Sequence, residues 1–146
     1  MRAPAAGESP VYEEIEHTAD VGIVVRADGA AALFEKAALA LYALMVDIGG
    51  VELRGDRIAV ARGGSRAELL QAWLSEVLVL FSSEAFVAGE VVVEELHAGV
   101  VRGRLRGEPF DPARHEFRGE IKAVTFHDLT VKEDRDGWCA RVIFDV

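Results

Sequence analysis

The sequence predicts an α+β fold, a two-layer sandwich in which two main helices pack on a largely antiparallel sheet. Three observations lead there. The candidate elements run strand, strand, helix, strand, helix and then strands alone. Two stretches carry apolar residues at helical spacing. The closing run of strands is broken by the hairpin-like segments "HAG" and "EDRDG".

Residues 1–10, "MRAPAAGESP", are small, contain two prolines and lack periodicity, which predicts a flexible N-terminal tail. Residues 11–146 are then expected to form a single domain. "VYEEIEH" and "VGIVVRA" read as strands meeting at a polar corner formed by His17, Thr18 and Asp20. Asp28 is placed to cap the first helix. Over residues 30–46 apolar side chains form a wide stripe through Leu33, Phe34, Ala37, Ala38, Leu41, Tyr42, Leu44 and Met45, so this helix should be mostly buried. "DIGG" should end it, with Gly49 and Gly50 supplying the C-terminal cap. The strand "VELRGDRIAV" follows, bent at Gly55. Ser65 and Glu68 in "SRAE" form a capping box, and Leu70, Trp73, Leu74, Val77, Leu78 and Phe81 carry the second helix to about residue 82. "VAGEVVVEEL", "VVRGRLRG", "EIKAVTFHDL", "TVKED" and "WCARVIFDV" are the remaining strands.

Composition narrows the function. Hydrophobic residues make up 51% and charged residues 28% of the 146, the balance of a folded globular chain. No apolar stretch is long enough for a membrane span and no leader opens the chain, so a cytoplasmic protein is expected. Cys139 has no second cysteine to bridge and reads as a small residue in a strand. With 25 acidic against 16 basic residues the net charge of −9 opposes binding to a phosphate backbone, so little or no direct nucleic-acid binding is expected.

Enzyme motifs are absent from the sequence. The glycines of "ARGGSRAE" lack the rest of a phosphate-binding loop, and there is no GxSxG elbow or HExxH pair. Two places are richer. At the end of the chain Asp145 and the terminal carboxylate of Val146 stand side by side, either as an ordinary exposed terminus or, if buried near a third carboxylate, as part of a site that shares a cation. In "GEPFDPARHEFRGEIKAVTFHDL", residues 107–118 read as a loop held open by Pro109 and Pro112, with Asp111 suited to a turn. In the strand that follows, Glu120, Lys122, Val124 and Phe126 should share one face, and Ile121, Ala123, Thr125 and His127 the other. Lys122 is then either half of an ion pair with Glu120 or a contact to a partner or anion. Arg102, Arg104 and Arg106 form a ladder on one strand face, read as a solvated surface or as a docking patch.

Taken together, "EHTADVGI", "FEKAALALYALM", "GEPFDPARHE", "EIKAVTFHDL" and "RVIFDV", in that order over residues 12–146, resemble the archease family. The resemblance implies an accessory protein with no catalytic residues of its own. Its partner would be an RtcB-type RNA ligase, which joins tRNA halves using GTP and manganese and whose guanylylation and multiple turnover the archease promotes. It also implies a divalent cation site, calcium in vitro, on Asp20, Asp145 and Val146. Lys122, Glu120, His17 and His127 are candidates for partner contact or for support of the metal ligands. Two other readings stand beside this one. A small metal-dependent phosphoesterase would use the same cation with His17 or His127 as base, and a chaperone-like module would serve another RNA-modifying enzyme.

Overall fold

The computed structural model describes residues 12–17 and 20–146; side chains are described from Tyr12 to Ile15 and from Asp20 onward. The expected tail at residues 1–10, Thr18 and Ala19 of the polar corner, and the side chain of His17 lie outside the described residues.

In chain order the elements are β1 (Tyr12–His17), β2 (Asp20–Ala27), α1 (Ala30–Met45), a 3-10 turn (Ile48–Gly50), β3 (Gly55–Arg62), α2 (Arg66–Glu84), β4 (Phe86–His97), β5 (Val100–Pro109), β6 (Ala123–Val124), β7 (Thr130–Asp134) and β8 (Gly137–Asp145). The α+β class holds, with two helices and antiparallel strand pairing throughout. The strands divide between two sheets. One has the order β1-β2-β8-β6 with β7 also on β8, and the other is β3-β5-β4.

The helices explain why two sheets are needed. Residues Leu33, Phe34, Ala37, Ala38, Ala40, Leu41, Tyr42, Ala43 and Met45 of α1 are all buried, which covers most of the circumference of the helix, and Glu35, Lys36 and Leu39 on the remainder are half-buried. A helix apolar over most of its circumference must be covered from more than one side. α1 lies against β2 and β8 of one sheet and β4 of the other, and α2 packs on α1 and on strands of both sheets. The largest fully buried side chains are Trp73, Tyr42, Phe34, Phe86 and Phe144; the phenylalanines each contribute roughly 1.5–3 kcal/mol by leaving water, whereas Tyr42 buries its hydroxyl without a partner among the described residues, which offsets part of its gain. Trp73 Nε1 donates to the Phe34 carbonyl at 3.0 Å, tying α2 to α1 in the core.

The element ends follow local chemistry, with two corrections. Ser65 caps α2 as expected, its Oγ accepting from the Glu68 amide at 3.1 Å. Asp28 does not cap α1; the N-cap is Gly29, without a side-chain hydrogen bond. Nor do Gly49 and Gly50 form a left-handed cap. α1 stops at Met45, and Asp47 closes a separate 3-10 turn by accepting from the Gly49 amide at 3.1 Å. The two hairpin breaks do use glycine at positive φ, Gly99 at 81° and Gly137 at 120°. At Gly137 a Cβ would also meet the Ala27 carbonyl oxygen at 2.6 Å, so both the turn and the passing strand require glycine.

The largest departure is "EIKAVTFHDL", where only Ala123–Val124 is strand. Ile121 and Val124 are both buried while Lys122 and Ala123 are exposed, so the expected two-face alternation does not form. The reason is that β7 occupies the first half of the β8 edge, from Gly137 to Arg141, leaving only residues 142–145, where β6 pairs with Phe144 and Asp145.

Candidate functional site

The register of β2 on β8 sets Val21 opposite Phe144 and Asp20 directly opposite Asp145. Val21 and Phe144 face the core, so alternation turns both aspartates to the other face of the sheet. Directly opposed residues have Cβ atoms about 4.5–5.5 Å apart, and like charges there destabilise the pair. Asp20 is half-buried, and Asp145 and Val146 are exposed. On the other edge Asp145 pairs with Ala123, and the Lys122 amide donates to the Asp145 carbonyl at 2.7 Å. The backbone of His17 pairs with Asp20 at the end of β1.

Asp20, Asp145, Val146 and Lys122 therefore converge at one end of the five-stranded sheet. Glu120 and His127 do not join them through any hydrogen bond or ion pair among the described residues. His127 instead lies 3.3 Å from the Asp128 carboxylate. Lys122 and Glu120 do not form the expected ion pair among the described residues; residues 120–122 are not strand, so the same-face spacing that the pair needs is not set. Among the described residues no three Asp, Glu, His or Cys side chains gather as a metal cluster.

Sequence reasoning missed a second polar cluster. Glu108, at the end of β5, is only 1% exposed. Its Oε2 accepts from the Glu52 amide at 2.7 Å and from His115 Nε2 at 2.9 Å, and its Oε1 accepts from Arg114 Nη2 and from Arg54 Nη1 at 3.4 Å. The Glu52 amide, opposed by burial and reinforced by His115 and Arg114, holds the Glu108 carboxyl down at about 2. His115 Nδ1 accepts from the Asp111 amide at 2.8 Å, which requires the proton on Nε2, where Glu108 receives it. Asp111 forms the expected turn, its Oδ1 accepting from the Ala113 amide at 2.9 Å. Beyond the turn, Arg118 N donates to the Met45 carbonyl at 2.7 Å and Asp47 N to the Glu116 carbonyl at 2.9 Å. The cluster thus fixes the loop that leads into Lys122. Its sequence signal was an acid placed six and seven residues before "RH", a spacing that one turn closes.

The arginine ladder is neutralised in place. Arg104 reaches Asp56 at 3.0 Å and Glu94 at 3.2 Å, Arg106 reaches Glu90 at 3.2 Å, and Arg102 stands 3.9 Å from Glu94. This is the solvated, charge-paired face of β3, β5 and β4.

A model of the Archease protein family matches residues 12–146. The chain belongs to the archease family. The protein archease of Methanopyrus kandleri is 39% identical over 92% of this chain and 99% of its own length, and that of Pyrococcus furiosus is 36% identical over 92% and 98%. The solution structure of Methanobacterium thermoautotrophicum protein 1598 superimposes with a TM-score of 0.77 at 32% identity, covering 92% of this chain and 98% of that one. No helix among the described residues of this archease-family chain is long and apolar enough to cross a membrane.

Proposed function

We propose that this chain is an accessory protein that activates an RtcB-type RNA ligase by promoting its GTP-dependent guanylylation and multiple turnover. The observation that carries the reading is the pairing of Asp20 with Asp145 beside Lys122 at one end of the sheet. Two carboxylates facing each other at that spacing fit a hard divalent cation, calcium in vitro, with the carboxylate of Val146 as a third oxygen donor. A bound cation supplies positive charge on a face that is otherwise acidic. Lys122 does not serve as a ligand, since a protonated amine has no lone pair to give; it is the group that meets the partner. Glu120, His17 and His127 are reserved for contact or support at the same end.

The charge balance supports a division of labour. A chain of net charge −9 repels RNA but complements the basic channel of an enzyme that holds RNA. The ligase binds the substrate, and this chain docks beside its active site.

The test is ligase turnover with GTP at limiting ligase, with and without this protein, beside this protein alone. Added protein should raise the number of turnovers, and alone it should show neither ligation nor phosphoester hydrolysis. Equal turnover without it would overturn the assignment, and hydrolysis of simple phosphoesters by the isolated protein would favour the phosphoesterase reading.

A further inference from the structure

The segment after β6 is a rigid turn with a phenylalanine at its tip. Val124 before it is buried, and Leu129 after it packs against the core. Between them Thr125 bonds the Ile143 carbonyl twice, through its amide at 3.1 Å and through Oγ1 at 2.9 Å. The His127 amide donates to Thr125 Oγ1 at 3.2 Å, the Leu129 amide to the Phe126 carbonyl at 3.3 Å, and Asp128 takes the left-handed conformation at φ 50°. An aspartate tolerates that conformation better than most side chains. Phe126 is held outward on this turn, 61% exposed, more than any other large hydrophobic side chain among the described residues.

A single exposed apolar residue is ordinary on a protein surface. Phe126 differs in where it stands and how it is held. It follows β6, which pairs Val124 with Phe144, and the exposed charged residues flanking it along the chain are Glu120, Lys122 and Asp128, in a chain of net charge −9. An exposed aromatic on a fixed turn, flanked along the chain by charged residues, matches the anatomy of an interface anchor. Because the turn is already fixed, little backbone freedom remains to be lost on docking.

We propose that Phe126 is the anchor of this face, inserting into an apolar socket on a partner protein whose surrounding surface is cationic. The chain's net charge of −9 selects that partner and disfavours a second copy of this chain, which carries the same sign. The inference rests on the ligase reading above: the socket lies beside the ligase's basic channel, and Phe126 sets affinity while the Asp20–Asp145 end and Lys122 set the effect on turnover.

The experiment titrates limiting ligase with wild-type protein, Phe126→Ala, Phe126→Leu and, as control, Ile58→Ala, an exposed apolar residue of the other sheet. Binding is read directly by calorimetry, and turnover gives the half-saturating concentration and the plateau. Phe126→Ala should raise the half-saturating concentration about thirty-fold or more, the effect of an aromatic hot spot, with the plateau unchanged. Phe126→Leu should fall between, and Ile58→Ala should match wild type. A wild-type half-saturating concentration for Phe126→Ala overturns the inference while leaving the ligase reading intact. Wild-type protein that neither binds nor activates the ligase overturns both. Concentration-dependent dimerisation that Phe126→Ala abolishes assigns the side chain to a second copy and also overturns the inference.

Discussion

Replacing Glu108 by Gln keeps the shape of the side chain and removes its ability to accept on two oxygens. Four donors converge on the carboxylate: the Glu52 amide and His115 Nε2 on one oxygen, Arg114 and Arg54 on the other. An amide oxygen can serve one pair, and its NH2 group then faces the remaining donors. If the oxygen stays with Glu52 and His115, the two arginines lose a charged acceptor. Arg54 and Arg114 are partly exposed and retain water, and Arg114 retains Glu52 and Asp111. The expected loss is therefore about 2–3 kcal/mol, below the roughly 3–5 kcal/mol for breaking a fully buried pair. Glu108→Ala reaches that upper range, because His115 Nε2–H is then buried without an acceptor. For a domain of this size the Gln variant should melt roughly 4–12 °C below wild type at pH 7, read by calorimetry. The pH dependence carries the sign. The Glu108 carboxyl is depressed from 4.5 to about 2 by folding, so its contribution is complete above 4.5 and is lost as pH falls toward 2. The gap between wild type and variant should narrow across that window. Equal melting temperatures at pH 7, or a gap unchanged by acid, would refute the account of the cluster.

Two predictions concern the end of the sheet. Asp145→Asn removes the repulsion with Asp20, so without metal the variant should be as stable as wild type or more stable by a few tenths of a kcal/mol. Calcium at a hundred times its dissociation constant should stabilise wild type by about 2.7 kcal/mol and the variant far less; equal shifts in melting temperature, or unchanged calorimetric affinity in both Asp20→Ala and Asp145→Asn, would eliminate the proposed site. Lys122→Ala should lower the plateau of ligase turnover while leaving calcium affinity as it is, since its exposed side chain forms no ion pair among the described residues; full activation by this variant would return Lys122 to an ordinary surface residue.

What the sequence made legible was mostly local. The Ser65 cap, the two hairpin glycines and the apolar stripe of α1 depend on residues within a turn or two of one another, and each stands where spacing put it. Strand partners are not local. Nothing in "EIKAVTFHDL" says that β7 will already occupy most of the β8 edge, and so the alternation read over ten residues collapses to the two that find a free partner. The division into two sheets had a trace in the sequence, since the apolar stripe of α1, interrupted only at Glu35 and Lys36, is wider than one sheet can cover. Glu108 and His115 were hidden for a different reason. Each alone looks like a loop charge, and only the turn at Asp111 brings them face to face. The Asp20–Asp145 end was half legible. The acid at the end of the last strand is visible in the chain, whereas its direct opposition to Asp20 is a matter of register.

That register also bears on how a site can be built where strands usually fray. The last residues of a domain are commonly poorly ordered unless tied down. Asp145 is tied on both sides, paired to Asp20 across one edge and to Ala123 across the other, with the Lys122 amide on its carbonyl. One residue earlier Phe144 is fully buried, and one residue before that the Ile143 carbonyl receives Thr125. The hydrophobic and main-chain bonds that hold the strand end are independent of the two carboxylates, so the fold can keep these like charges opposed. A donor pair held that way loses little freedom when a ligand arrives, which favours affinity without any further contact. The same bonds carry β6 directly into the Phe126 turn. On the proposed reading, cation, lysine and anchor are therefore fixed relative to one another by a single strand end.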